Sequence, residues 1–365
     1  MPVKPTWKGW WSKSRPEPSE GSEQPEDRSE QPEDRTEQPE DRAGGEPPPD
    51  GREEPPKAGS PPVLSPSGKS KFASKPWWKS DWWLLDPEGH SGDVDCDVGT
   101  VGDLALAAAS IRGNSHRLEA TRCEDSFALS TGMTSDDASF VVVAVGDGLG
   151  SADYSSYGSR RATDLLAKRL ASRLTARGQL DYEIFVAETE QLLEEVKAAI
   201  RSWRTDDYLA PDLPPAGISI ASLETTLTFA VIPATAEDGG RREVFIGFVG
   251  DSPLFKLSDG TWLRIPDEGD EDLVDPTTQA LHSGNVAVTH FSLSDEEVLV
   301  VVTDGIGNFL RRGGETLPVG DHLAEVLKTP VEPAAFLTEL MFDFKTADDD
   351  RTAVVCWPNR QQHET

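Results

Sequence analysis

Residues 139–151 read SFVVVAVGDGLGS. The run Phe140–Val145 is apolar throughout, stops at Gly146, and gives way to an aspartate held between two glycines. A short unbroken apolar run bounded by turn residues reads as a fully buried strand. Asp147 therefore stands at the tip of a core strand. A charge beside a core costs several kcal/mol unless it is paired or binds a metal.

Similar runs surround this one. Leu104–Arg112, Ser126–Ser130, Ser139–Val145, Thr225–Ile232, Glu243–Val249, Leu254–Leu257, Val286–Phe291, Val298–Val302 and Ala353–Trp357 read as strands. Two long segments between the third and fourth runs, residues 156–174 and 181–203, carry apolar residues at three- and four-residue spacing and read as helices. Residues 318–328 and 333–344 read as shorter helices. Strands at both ends with long helices between them suggest two packed sheets with helices outside, rather than a regular βαβ alternation.

The chain before about residue 91 is of another kind. EQPEDRS, EQPEDRT and EQPEDRA follow one another from Glu23 to Ala43. A coiled coil needs two apolar positions per heptad; this repeat has none and a proline in each copy, so it reads as disordered. Residues 1–90 are thus expected to be a low-complexity region and 91–365 a folded domain. Tryptophans bracket the repeat: Trp7, Trp10 and Trp11 on one side, Trp77, Trp78, Trp82 and Trp83 on the other. Wet tryptophans often anchor interfaces. The first cluster reads as a partner-binding motif, and the second as a segment folding back on the neighbouring domain.

The charge balance is 65 acidic against 35 basic residues, net −30. That excess argues against nucleic acid and against anionic membrane surfaces as partners. Cys96, Cys123 and Cys356 are too few and too scattered for a disulfide framework or a zinc site. The start, MPVKPTWKGWWSK, lacks a signal-peptide apolar run, and no stretch reaches ~18 apolar residues. The expected location is cytoplasmic.

Several carboxylates share the context of Asp147. Asp125 precedes SFALS, Asp251 follows VFIGFVG, Asp304 follows VLVVVT, and Asp349 and Asp350 precede RTAVVCW. One Asp-Gly is a turn signal. A set of strand-end aspartates, with no lysine or histidine alternating among them, points to a hard cation, Mg²⁺ or Mn²⁺. The Gly-Leu-Gly after Asp147 would let a backbone carbonyl turn toward such a cation. Two cations about 4 Å apart lower the pKa of a shared water and clamp phosphate oxygens.

In order, RCEDS, VGDGLGS, ETTLTFAVI, VGDSPLFKL, VVTDGIGNF and DDDRTAVVCW resemble the successive motifs of the type-2C (PPM) metal-dependent protein serine/threonine phosphatases. IRGNSHRLEATRCEDSFAL with DGLGSADYSSYGSRRA is similar to the bacterial type-2C-like subgroup. The resemblance spans about Leu104–Trp357. It implies an α+β fold, a four-layer αββα sandwich, with two Mn²⁺ or Mg²⁺ per site and hydrolysis of phosphoserine and phosphothreonine in proteins by metal-activated water. A protein kinase of the same pathway would be the opposing partner. Carried over by motif, Asp147 bridges both metals, Asp304 and Asp349 complete the first, Gly148 offers its carbonyl to the second, and Asp125 with Glu124 holds its waters. Asp251 lies in a motif that is mostly structural in the family.

Two departures stand out. Relatives place a phosphate-binding arginine three residues after the glycine of the first strand and five before the aspartate of the ED pair. Counting from Gly113 reaches His116; counting back from Asp125 reaches Ala120. The phosphate clamp stays open among His116, Arg117 and Arg122, with His116 a candidate for phosphate binding or proton donation. Many eukaryotic members carry a histidine just after the bridging Asp-Gly; here that place is Leu149. The alternatives are a pseudophosphatase that binds a phosphoprotein or kinase, and a hydrolase of small phosphorylated molecules. Retention of Asp147, Asp304 and Asp349 favours the enzyme.

Overall fold

The strand of Phe140–Val145 lies inside one of two stacked sheets, flanked on both sides, in the computed structural model, which describes residues 94–119, 121–201, 219–237, 239–266, 279–342 and 347–358. In chain order the elements are β1 Val94–Val101, β2 Leu104–Ile111, α1 Asn114–Glu119, β3 Ser126–Met133, β4 Ser139–Gly146, α2 Ser155–Arg177, α3 Tyr182–Arg201, β5 Leu227–Pro233 and β6 Arg241–Val249. There follow β7 Leu254–Ser258, β8 Thr261–Ile265, β9 Ala287–Ser294, β10 Val298–Val302, α4 Asp304–Leu310, β11 Arg311–Arg312, β12 Glu315–Thr316, α5 Pro318–Val326, α6 Pro333–Leu340 and β13 Arg351–Trp357.

One sheet has the order β1-β2-β13-β10-β7-β8, the other β3-β4-β5-β6-β9, and β11-β12 is a separate hairpin. Side chains alternate across each strand, so a doubly covered strand supplies two cores. Phe140, Val142 and Ala144 of β4 pack against Leu166 and Leu170 of α2 and Phe185 and Leu192 of α3. Val141, Val143 and Val145 point the other way, against Leu106, Val301 and Val354 of the facing sheet. On the far side, Val355 and Trp357 of β13 meet Leu323 of α5 and Phe336 of α6. The result is the expected α+β four-layer αββα sandwich.

Helix ends follow local chemistry. Gly178 closes α2 in the left-handed conformation (φ 75°), its N–H reaching Leu174 and Thr175 carbonyls. Pro318 and Pro333 open α5 and α6, where a missing N–H costs nothing.

Besides the short β11-β12 hairpin, four of these elements lay outside the sequence reading. β1 and β8 are the two edges of the six-stranded sheet. Edge strands are half wet, and β1 carries Asp95 and Asp97 in place of a clean apolar alternation. α1 and α4 have six and seven residues, too few for a helical period to register. The repeat and both N-terminal tryptophan clusters lie outside the described residues.

Candidate active site

The sheet registers bring distant segments to one end of the sandwich. Ser126 pairs with Gly146, and Arg351 pairs with Ile111, so the chain entering β3, leaving β4, leaving β2 and entering β13 meets there. Val302 pairs with Ala353, which adds the start of α4. Asp125, Asp147, Asp304, Asp349 and Asp350 all sit on these segments.

Asp147 is held through its backbone, leaving its carboxylate unspent. Thr226 Oγ1 accepts its N–H at 3.1 Å, while Thr226 N–H and Thr225 Oγ1 donate to its carbonyl at 2.8 and 2.9 Å. Thr226 Oγ1 in turn meets Ser252 Oγ at 2.7 Å, so the segment around Asp251 braces this turn. Burial, then Asp125, Asp304, Asp349 and Asp251, push the Asp147 carboxyl well above the usual carboxylate range. Burial, then Asp349 and Asp251, also raise Asp304, whose carboxyl lies in hydrogen-bonding reach of Asp147. Burial raises Asp349 too.

Asp125 is 8 % exposed and faces inward. Thr303 Oγ1 donates to its Oδ2 at 2.6 Å, and Thr303 Oγ1 accepts the Thr352 N–H at 3.1 Å. Burial and Asp350 raise Asp125 as well. Burial pushes the Glu124 carboxyl up.

Gly148 is a glycine for a different reason from conformational freedom. It is absent from the positive-φ residues, so its backbone is one any residue adopts. A Cβ there would lie 2.8 Å from the Glu124 carbonyl oxygen and 2.8 Å from Ser155 Cβ. The glycine lets the β4 exit press against the loop entering β3, with its N–H on the Glu124 carbonyl at 3.2 Å.

His116 enters the cluster, which corrects the picture of carboxylates without a histidine among them. Its Nδ1 lies 2.9 Å from Asp350 Oδ2 and its Nε2 3.8 Å from Glu124 Oε2. The contact is a close ion pair rather than a directed hydrogen bond. Asp350 raises the His116 pKa against an opposing effect of burial. Arg122 instead sets its guanidinium 5.2 Å from the centroid of the Tyr157 ring, and Arg117 is exposed in the last turn of α1.

The sequence reading named Asp350 among the strand-end aspartates but gave it no role in the site, and it did not single out Thr303, Thr225 or Thr226. Asp350 was masked by its neighbour in the run Asp348-Asp349-Asp350, and threonines beside strand-end aspartates are the signal that could have found the others.

The donor set fits a hard cation. It is all oxygen, its carboxylates raise one another's pKa, and no lysine or arginine acts among the causes at Asp147, Asp304 or Asp349. Among the described residues no group of three or more His, Cys, Asp or Glu side chains stands arranged to hold a metal ion.

A family model described as protein phosphatase 2C matches residues 112–341; Asp349 and Asp350 lie beyond the matched span. No curated protein matches the chain. Among solved structures, a serine/threonine phosphatase of S. agalactiae is 13% identical, with 70% of this chain and 99% of that one covered and a TM-score of 0.46. The Mycobacterium tuberculosis serine/threonine phosphatase PstP/Ppp is 18% identical, with 70% and 99% covered and a TM-score of 0.44. A PstP catalytic domain in complex with two manganese ions is 18% identical, with 69% and 97% covered and a TM-score of 0.42.

Proposed function

The chain belongs to the protein phosphatase 2C family, and from that premise we propose that it is a Mn²⁺- or Mg²⁺-dependent phosphatase of phosphoserine and phosphothreonine in proteins. The observation that carries this reading is the set of mutually repelling carboxylates, Asp147, Asp304 and Asp349, at one end of the sandwich with no lysine or arginine to neutralise them.

In this reading Asp147 would serve both of two cations, Asp304 and Asp349 the first, and the Gly148 carbonyl with Asp125 and Glu124 the second. When bound, the cations would supply an activated water and neutralise charge on the phosphoryl oxygens. The chain's own residues do the rest. Thr225 and Thr226 fix the height of Asp147 through its backbone. Thr303 orients the buried Asp125 carboxyl through its hydroxyl. His116, raised in pKa by Asp350, is suited to hold a phosphate oxygen or to give a proton to the leaving alkoxide. Arg117 and Arg122 are the alternative phosphate-binding groups.

Residues 91–365 would form the catalytic domain, and residues 1–90 a tether whose first tryptophan cluster, Trp7, Trp10 and Trp11, engages a protein partner. Substrates would be phosphoproteins, with a serine/threonine kinase in opposition. Among the described residues no helix is long and apolar enough to cross a membrane.

The test is phosphate release from a phosphoserine peptide by the full chain with Mn²⁺, with Mg²⁺ and with EDTA. Release that needs either ion and stops with EDTA supports the reading. Release unaffected by EDTA, or none under any of the three conditions, contradicts it.

A further inference from the structure

We propose that Asp350 is a positioning residue that works through His116: its carboxylate fixes the imidazole by Nδ1 and leaves Nε2 as the nitrogen offered on the Glu124 side of the cluster. The kinetic part of the test rests on the phosphatase reading; the spectroscopic part does not.

Asp350 is 2 % exposed, and its carboxylate is occupied by groups of this chain. Oδ1 accepts the Gly113 N–H at 2.6 Å. Oδ2 accepts the Glu124 N–H at 2.5 Å and lies 2.9 Å from His116 Nδ1. A carboxylate that already accepts two backbone N–H groups and pairs with an imidazole is a poor ligand for a cation, whereas its neighbour Asp349 accepts the Asp350 N–H at 2.9 Å. Consecutive residues entering a strand point to opposite sides. Asp349 and Asp350 therefore divide the work, one facing the acidic cluster and one facing α1.

The sequence builds this contact in two steps. Gly113 permits the approach, since a Cβ there would lie 2.3 Å from the Asp349 carbonyl carbon. His116 follows three residues later, and residues three apart share a helix face. One carboxylate can thus reach both the Gly113 N–H and the imidazole. Ser115 strengthens the seam, its N–H and hydroxyl both donating to the Asp348 carbonyl at 2.9 and 2.7 Å. A carboxylate on one ring nitrogen sets which nitrogen carries the proton and where the other points.

The experiment is a double-mutant cycle on the full chain with Mg²⁺, read as kcat/KM on a phosphoserine peptide. Asp350→Asn should lower it about 10–100-fold, as loss of an orienting partner does. In a His116→Ala background the same substitution should cost less than about threefold, because the group it acts through is gone. An equal loss in both backgrounds overturns the proposal, since Asp350 would then act through Gly113 and Glu124 alone. Wild-type activity in Asp350→Asn, or in His116→Ala, overturns it too. If the protein hydrolyses no phosphopeptide, or Asp350→Asn does not fold, nitrogen NMR of the wild-type chain decides, with His116 assigned by its loss in His116→Ala. The neutral ring should carry its proton on Nδ1. A proton on Nε2 overturns the proposal.

Discussion

Thr303 and Asp125 are joined by a 2.6 Å hydrogen bond across 178 residues of sequence, and the bond stitches one sheet to the other at the site. Thr303 leads from β10 into α4; Asp125 leads into β3 of the opposite sheet. The hydroxyl also accepts the Thr352 N–H, so one side chain holds three segments. Thr303→Val keeps the shape and removes the donor, leaving a buried carboxylate unsatisfied. Stability should fall by about 1–3 kcal/mol, and metal-supported activity should fall with it. Thr303→Ser should retain most of both. Chemical denaturation of the two variants checks this.

Gly148 and Gly150 should respond differently to alanine. At Gly148 the new methyl meets a backbone oxygen and Ser155 at 2.8 Å, and neither is the end of a flexible side chain. At Gly150 the nearest atom is Glu124 Oε2 at 3.7 Å, an ordinary contact. Gly148→Ala should therefore displace the Asp147 loop and lower turnover at least about tenfold, a cost of about 1.4 kcal/mol in the barrier. Gly150→Ala should stay within about twofold. Steady-state rates on a small aryl phosphate separate the two.

Away from the site, Glu188 of α3 is 5 % exposed and meets Arg173 and Arg177 of α2. Burial pushes its carboxyl up, but the two arginines outweigh that and its pKa is lowered. A carboxyl lowered in the folded state stabilises above its unfolded pKa, about 4.3, and that contribution is lost as pH falls through the folded value. Glu188→Gln should thus cost about 1 kcal/mol at neutral pH, the low end because Arg177 is largely exposed and screened. The gap to wild type should close below pH 4. Unfolding curves at several pH values read it directly; a gap independent of pH would contradict the pairing.

His116 offers two roles that substrates separate. A proton donor matters for phosphoserine, whose leaving alkoxide is strongly basic, and little for p-nitrophenyl phosphate. A phosphate grip matters for both. His116→Ala should lose activity on the peptide at least; rescue of both substrates by His116→Arg would assign the grip, and loss on the peptide alone the donor. Wild-type rates on both substrates would make His116 a bystander.

Much of this architecture was legible because β4, β5, β10 and β13 are buried on both faces and read as unbroken apolar runs. β1 and β8 were not, since an edge strand carries polar residues on its open side. The acidic centre was legible for a related reason: an aspartate at the tip of a buried run is costly without a cation. The role of Asp350 was not legible because a sequence cannot show that one aspartate of an adjacent pair turns toward Gly113, 237 residues upstream. The role of Gly148 was misread as a conformational one, since only the three-dimensional packing reveals Glu124 and Ser155 against it.

The most direct test of the central claim is calorimetric titration of Mn²⁺ into the metal-free full chain and into Asp147→Asn. The carboxylates of Asp147, Asp304 and Asp349 repel one another with no lysine or arginine acting on them. The wild-type chain should take up two ions, and Asp147→Asn should weaken both while its fold persists, because the lost carboxylate serves both. Unchanged Mn²⁺ uptake by a folded Asp147→Asn would contradict the account.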